Sequence, residues 1–514
     1  MKKIKDIITK LYSKYKITIF SSIIFTFITH FYYFTKRLGN EDDLGYLIFS
    51  DNALTSGRWN NGTLFTTSLM SPPIKFLFVL LVLSLVSIMI CDIFKIKSIK
   101  NKILIPLLLS TFPTLALSFS YLFMVEVYMT SLFLAVFAIW ITLKHKYGFI
   151  LGSISIAFSL GNYQSYISIS VGLIIIYILK EILNKEDSKE LLKKILKLLI
   201  MGLLGIAVYF FILNILLKLN HSVLSDYKGA NSMGIPPLSE WPKQLFRTYK
   251  HFIGYFIGLS YYKVSKFESI TRIILILLTL ILLIYNIKKD KLYKNRTNII
   301  ILLILFITLP LSLNIVDFMA YKTELSSLQI YNFVLVYIIC VVILEHQNKL
   351  KTFNYIYNII ILLLIIISYQ NYITTNKYYY KLETLYTYTE QFNNRLLTRI
   401  ENTKGYNYNM PVMFIGNDNS SFLKTLYNYP NTNDTLTYDQ ALWGGIYIGY
   451  ADLYSFNNDK KIFKLLENQF GVSLIRANEE ERKKVLNTKE YNKMNTYPEY
   501  ESIKIIDGIL VVKF

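Results

Sequence analysis

Apolar runs long enough to cross a bilayer recur from about residue 17 to residue 369, and no other feature narrows the fold as much. A hydrocarbon core about 30 Å thick takes about 20 apolar residues in a helix. Inside it every backbone polar group must be paired within the chain, which leaves helices and closed barrels. Runs of this length mark helices, so the chain reads as a mainly α, polytopic helical membrane protein. Hydrophobic residues make up 53% of the 514, and the mean hydropathy is +0.37. The formal net charge of +21 would suit a nucleic-acid partner. Most of the excess lysine lies between the runs, however, where positive-inside topology places it, and this argues against nucleic acid.

The first sixteen residues carry six lysines and read as cytoplasmic. Spans are then expected over residues 17–34, 74–94, 103–120, 126–143, 198–217, 270–287, 298–314, 328–344 and 355–369. Residues 148–179 begin and end beside lysines but are too few for two full spans. Gly161, Asn162, Tyr163 and Gln164 interrupt them, so two shortened helices are expected to meet at a polar break. Irregular backbone at depth is tolerated where protein or a water-filled cavity satisfies it, so the break should face a cavity. The total is about eleven spans. Residues 180–197 read as a charged cytoplasmic helix, 218–268 as a long outer segment whose 241–259 part suits the interface, and 315–327 as an outer loop.

From about residue 370 the long apolar runs stop. Residues 411–416 read as a strand and a turn, and residues 503–514 as a hairpin turning at Asp507-Gly508. Helical patches are expected at 462–470 and 479–486. The expected division is a membrane domain over 1–369 and a small extracytoplasmic α/β domain over 370–514.

Cys91 and Cys340 both fall within apolar runs, which excludes a disulfide-stapled outer domain. The five histidines show no metal-ligand spacing. The chemistry concentrates in the first outer loop. Glu41, Asp42 and Asp43 are followed there by Ser56, Gly57, Arg58 and Trp59. Three acids in a loop ordinarily mean a solvated loop. Two features argue for more: Glu126 emerges on the same side at the end of another span, and Arg58 adds the opposite charge. A carboxylate can take a proton from an attacking hydroxyl or hold a divalent cation such as Mg or Mn, with Asp42 and Asp43 the candidate ligands. An arginine can pair bidentately with phosphate. Gln164, beside Tyr163, either closes the helix break by hydrogen bonding or meets a sugar hydroxyl. Lys322 and Glu324 read as a solvated pair, with Lys322 the alternative contact for a donor phosphate. No Walker or GxGxxG sequence occurs, so a cytosolic nucleotide is not implied.

In these segments the chain resembles the type II glucosyltransferases of bacterial membranes, a group that includes O-antigen glucosyltransferases. The matching pieces are Asn40-Glu41-Asp42-Asp43, Ser56-Gly57-Arg58-Trp59, the 121–128 segment with its acid, Gly161-Asn162-Tyr163-Gln164-Ser165, Tyr497-Pro498 and the closing 505–513 segment. The resemblance implies a GT-C-like enzyme of the cytoplasmic membrane. Such an enzyme moves a sugar, glucose by the family's label, from a polyprenyl-phosphate donor to a cell-surface glycan on the extracytoplasmic side. By that resemblance Asp42 and Asp43 match the acidic pair, Arg58 the loop arginine and Gln164 the tyrosine-glutamine motif; Glu126 stands where Asp is expected. Catalysis would fall to Asp42, Asp43 and Glu126, and substrate binding to Glu41, Arg58, Trp59, Tyr163, Gln164 and Lys322. The competing readings are a transporter or flippase of lipid-linked sugars and a surface polysaccharide polymerase or ligase. Intramembrane polar breaks occur in transporters too, but no internal repeat is evident.

Overall fold

A computed structural model describes residues 2–36, 38, 51–61, 71–226, 231–232, 234–261, 264–323, 325, 327–348, 354–416 and 459–514. Helices dominate. In chain order they are α1 (Lys2–Thr35), α2 (Pro72–Ile93), α3 (Ile99–Thr111), α4 (Thr114–Ser120), α5 (Val125–Lys144), α6 (Gly148–Asn162), α7 (Ile167–Leu183), α8 (Ser188–Leu219), α9 (Trp241–Ile257), α10 (Lys266–Lys289), α11 (Arg296–Leu313), α12 (Ile315–Met319), α13 (Val334–Asn348) and α14 (Asn354–Glu401). Strand β1 (Pro411–Ile415), helix α15 (Lys460–Phe470), strand β2 (Ile475–Arg476), helices α16 (Glu479–Leu486) and α17 (Lys489–Asn492), and strands β3 (Ile503–Ile506) and β4 (Ile509–Lys513) complete the chain.

Among the described residues eight helices are long and apolar enough to cross a membrane, nine if the bent pair α3–α4 is one span, and α6 and the 331–346 segment are shorter apolar helices. The expected polytopic helical architecture is what the chain adopts. Outward faces of α8, α10 and α11 expose Leu203, Phe211, Leu277, Ile300 and Phe306, as lipid-facing surfaces do. α2 starts at Pro72-Pro73, where the missing backbone donors cost nothing because a first turn has no acceptors for them. The expected break lies between α6 and α7: Tyr163 is extended and a single 3-10 turn spans Gln164–Tyr166.

Three expectations change. Residues 180–197 are not one helix. Asp187 accepts from the backbone N–H groups of Lys189 and Glu190, so it starts α8 and separates it from the end of α7. Residues 315–327 are not wholly a loop, because apolar Val316 and Phe318 are buried and anchor α12. The apolar run ending near residue 369 does not end its helix. α14 continues to Glu401, 48 residues and roughly 72 Å long, so more than half of its length is in excess of a bilayer core of about 30 Å. Hydropathy reports contact with lipid and not helicity. His30 and Tyr33 of α1 hold α14 at mid-length, His30 Nδ1 lying 2.7 Å from Tyr379 Oη and Tyr33 stacking on the same ring.

The far end of α14 packs Phe392, Leu396 and Ile400 against a four-stranded sheet of order β2-β1-β4-β3. β1 is parallel to β2 and β4, and β3 pairs antiparallel with β4. The hairpin turns at Asp507 and Gly508, both at positive φ, as a two-residue type I′ turn demands. The expected strand, hairpin and both helical patches are present.

Candidate functional site

Two short polar segments, about a hundred residues apart in sequence, come together. After a 3-10 turn at Asp51–Ser56, Gly57 sits at φ +76 and the loop lies on the α6–α7 break. The Asn60 backbone N–H donates to the Gly161 carbonyl at 2.9 Å, and Asn60 Nδ2 donates to Asn162 Oδ1 at 2.8 Å. Gln164 Nε2 donates to the Ser56 carbonyl at 3.0 Å, and Tyr209 Oη of α8 donates to the Gly57 carbonyl at 2.9 Å. Two glycines make this seating possible. A Cβ on Gly57 would lie 2.7 Å from Tyr209 Oη and 2.8 Å from Gln164 Nε2. One on Gly161 would lie 2.5 Å from the Trp59 ring. Trp59 is therefore a buried wedge, edge-on to Phe158 at 5.2 Å, and not a wall of the cavity described next.

Arg58 follows the left-handed Gly57 and holds its guanidinium over the Tyr163 ring, 4.9 Å from the centroid. Tyr163 also receives a 3.4 Å hydrogen bond from Gln329. Among the described residues no carboxylate pairs with Arg58, and its buried Nε has no hydrogen-bond partner. The side chain lies on a cavity of about 270 Å³ whose polar end is Ser56, Gly57, Arg58 and Gln164. Tyr209 and apolar residues of α6, α7, α8 and α12 make up most of the remaining wall. A lone cation at the head of an apolar cavity can hold an anion attached to a hydrocarbon.

Glu126 is not at an open surface. It is 1% exposed, and both of its carboxylate oxygens lie 2.9 Å from Lys75 Nζ near the start of α2. Lys322 is exposed, lies near the Tyr321 ring and does not line the cavity. Glu41, Asp42, Asp43 and Glu324 lie outside the described residues. Among the described residues no group of three or more His, Cys, Asp and Glu side chains is placed to hold a metal ion.

Several residues beside the site carry no mark in the sequence that singles them out. Tyr209 is one of 42 tyrosines, inside an apolar run. Asp317 is fully buried in α12, with its oxygens 3.5 Å from Arg247 Nη2 and 3.3 Å from His251 Nδ1 on α9. Arg247 also donates to the carbonyls of Asp317 and Ala320, fixing the end of the helix that forms one cavity wall. Lys75 leaves a readable trace, a lysine within the first turn of an apolar run.

The described residues thus define a polytopic helical membrane protein with a polar loop seated on a helix break beside an apolar cavity. Over residues 31–344 the chain matches the family described as glucosyl transferase GtrII, and it belongs to that family. It is a membrane glucosyltransferase acting on glycans. The match spans both segments of the site and ends within α13, before α14 and the sheet. No curated protein and no solved structure matches the chain.

Proposed function

We propose that this chain transfers glucose from a polyprenyl-phosphate donor to a surface glycan on the outer side of the bacterial cytoplasmic membrane, as a GT-C-like enzyme. The observation that supports the donor class best is Arg58, a cation without an acidic partner among the described residues, at the polar end of an apolar cavity. Such a site matches a phosphate joined to an isoprenoid. Sidedness is supported by helix direction: the Arg58 loop precedes α2, whereas Lys95, Lys97, Lys100 and Lys102 follow it at the opposite end. On this reading the N-terminus is cytoplasmic and residues 370–514 hold an extracytoplasmic domain that shapes the acceptor cleft.

In the reaction an acceptor hydroxyl attacks the anomeric carbon as the bond from that carbon to the phosphate oxygen breaks. Asp42 or Asp43 takes the hydroxyl proton; in the alternative role the pair would hold a divalent cation, which would supply positive charge at the site. Arg58 stabilises the charge that develops on the departing lipid phosphate, a contribution favoured where water is largely excluded. Gln164 and Tyr209 hold the Arg58 loop in place. Glu126, paired with Lys75, acts at one remove by locking α2 to α5 near the loop.

The test uses purified protein, radiolabelled polyprenyl-phosphate glucose and surface glycan from cells lacking the protein. Wild type should yield labelled glycan, and Asp42→Asn combined with Asp43→Asn should abolish labelling while the protein stays folded in the membrane. Wild-type rates in that double variant would refute the base assignment; labelling from a nucleotide sugar alone would refute the donor.

A further inference from the structure

The cavity beneath Arg58 has an unfinished wall. Ile206, Tyr209, Phe210 and Leu213 of α8 all line it, at the i, i+3, i+4, i+7 spacing of one helix face. Tyr209 and Leu213 are buried, yet Ile206 is 37% and Phe210 47% exposed. Their neighbours Leu203 and Phe211 belong to the outward apolar surface of α8. Opposite stands α12, which contributes Ile315, Val316 and Met319. α8 and α12 border the same cavity but share no extended packing, whereas α8 packs along most of α6. Among the described residues the side of the cavity between α8 and α12 is therefore left uncovered, next to the exposed apolar surface of α8.

Size and charge say what could use such an opening. The volume, about 270 Å³, falls at or below the range of roughly 300–1,000 Å³ that encloses a drug-sized ligand. A long isoprenoid cannot fit inside, so most of it must lie elsewhere. Arg58 is the one charged residue on the described lining, which suits a single phosphate and offers little to a nucleoside diphosphate. We infer that the isoprenoid chain of the donor enters sideways from the bilayer between α8 and α12, and that Ile206 and Phe210 form the sill over which it runs. The first prenyl units then rest on Ile206, Phe210, Val171 and Met319, with the phosphate at Arg58 and the rest of the chain still in the membrane. This inference rests on the lipid-phosphate donor proposed above.

Binding tests it without need of an acceptor. Purified protein in phosphatidylcholine nanodiscs is titrated with radiolabelled long-chain polyprenyl-phosphate glucose and with a short, two-isoprene analogue, and thermal unfolding confirms that each variant is folded. Ile206→Trp, which narrows the opening, should lower the ratio of long-chain to short-chain affinity about tenfold, the scale of a steric mismatch in an apolar pocket. Phe210→Glu should lower it at least as far by placing a charge on the sill. Leu204→Trp, on the exposed side of α8 turned away from Ile206 and Phe210, should leave the ratio unchanged. An unchanged ratio in both sill variants, or an equal fall in Leu204→Trp, overturns the lateral entry. A wild type that binds neither lipid, or an Arg58→Met variant that binds both as wild type does, overturns instead the donor reading on which it rests.

Discussion

Arg58 and Arg272 place the same chemistry in two surroundings. Each guanidinium lies over a tyrosine ring, at 4.9 Å from Tyr163 and 4.6 Å from Tyr255. Arg272, fully buried on α10, has its counter-charge built in. Glu268 one turn earlier accepts from Nη2, and the Tyr255 carbonyl accepts from Nη1 at 2.9 Å. Arg58 has the ring and the cavity but no carboxylate among the described residues. A cation whose partner is internal pins α10 to α9. One that meets no carboxylate among the described residues is, on the function proposed above, the cation that meets the donor phosphate. Burial alone would rank Arg272 first as a functional residue; the location of the counter-charge reverses that order.

The contrast predicts opposite losses. Arg272→Met strands Glu268 as a buried charge and should cost about 3–5 kcal/mol of stability, seen as a large fall in the unfolding midpoint in detergent. Adding Glu268→Leu should recover most of it, because replacing a buried pair with apolar groups is often neutral. If the single variant melts like wild type, Arg272 is not a structural cation. Next in size is Arg58→Met, expected to reduce glucosyl transfer about 10²–10³-fold, roughly 3–4 kcal/mol at the transition state, with the unfolding midpoint unchanged. A fall in the midpoint with turnover intact would erase the distinction between the two arginines.

A third variant probes the seat of the loop. Gly161→Ala drives a methyl into the Trp59 ring and should cost about 1–3 kcal/mol of overpacking, with a parallel loss of transfer because Arg58 moves with Trp59. Combining it with Trp59→Leu should restore stability more than transfer. Equal restoration of both would mean that Trp59 only fills space.

How much of this is legible in the sequence depends on how local each signal is. The α6–α7 break is readable because Gly161 and Asn162 are poor helix formers inside an apolar run, and the closing hairpin because Asp507-Gly508 is a strong turn signal. The match of Ser56-Gly57-Arg58-Trp59 to Gly161-Asn162-Tyr163-Gln164 is not readable as a contact. Hydrogen bonds between residues 60 and 162, or 56 and 164, leave no periodicity in either segment. Glu126 reads as facing solvent because its partner, Lys75, lies 51 residues away on another helix. The part of α14 beyond residue 369 is hidden because the apolar run stops there while the helix continues. The five residues of α12 are too few to show any pattern, although they supply both a cavity wall and the buried Asp317.

The smallest expected effect sharpens the comparison most. Gln164→Leu removes a neutral hydrogen bond to the Ser56 carbonyl, while Tyr209 still holds Gly57, so about 1 kcal/mol and a roughly fivefold loss of transfer are expected. Gln164→Glu keeps the size of the side chain but places a carboxylate on the same cavity lining as Arg58. That change gives Arg58 the internal counter-charge that Glu268 gives Arg272. If Arg58 acts because no internal carboxylate neutralises it, the glutamate variant should bind polyprenyl-phosphate glucose several-fold more weakly than the leucine variant, since the new carboxylate competes with the phosphate for one guanidinium. The gap should narrow as the pH is lowered through the carboxylate range, because the introduced side chain no longer competes once it is protonated. Equal affinities for the two variants at neutral pH would mean that the donor is held by something other than the cation at residue 58.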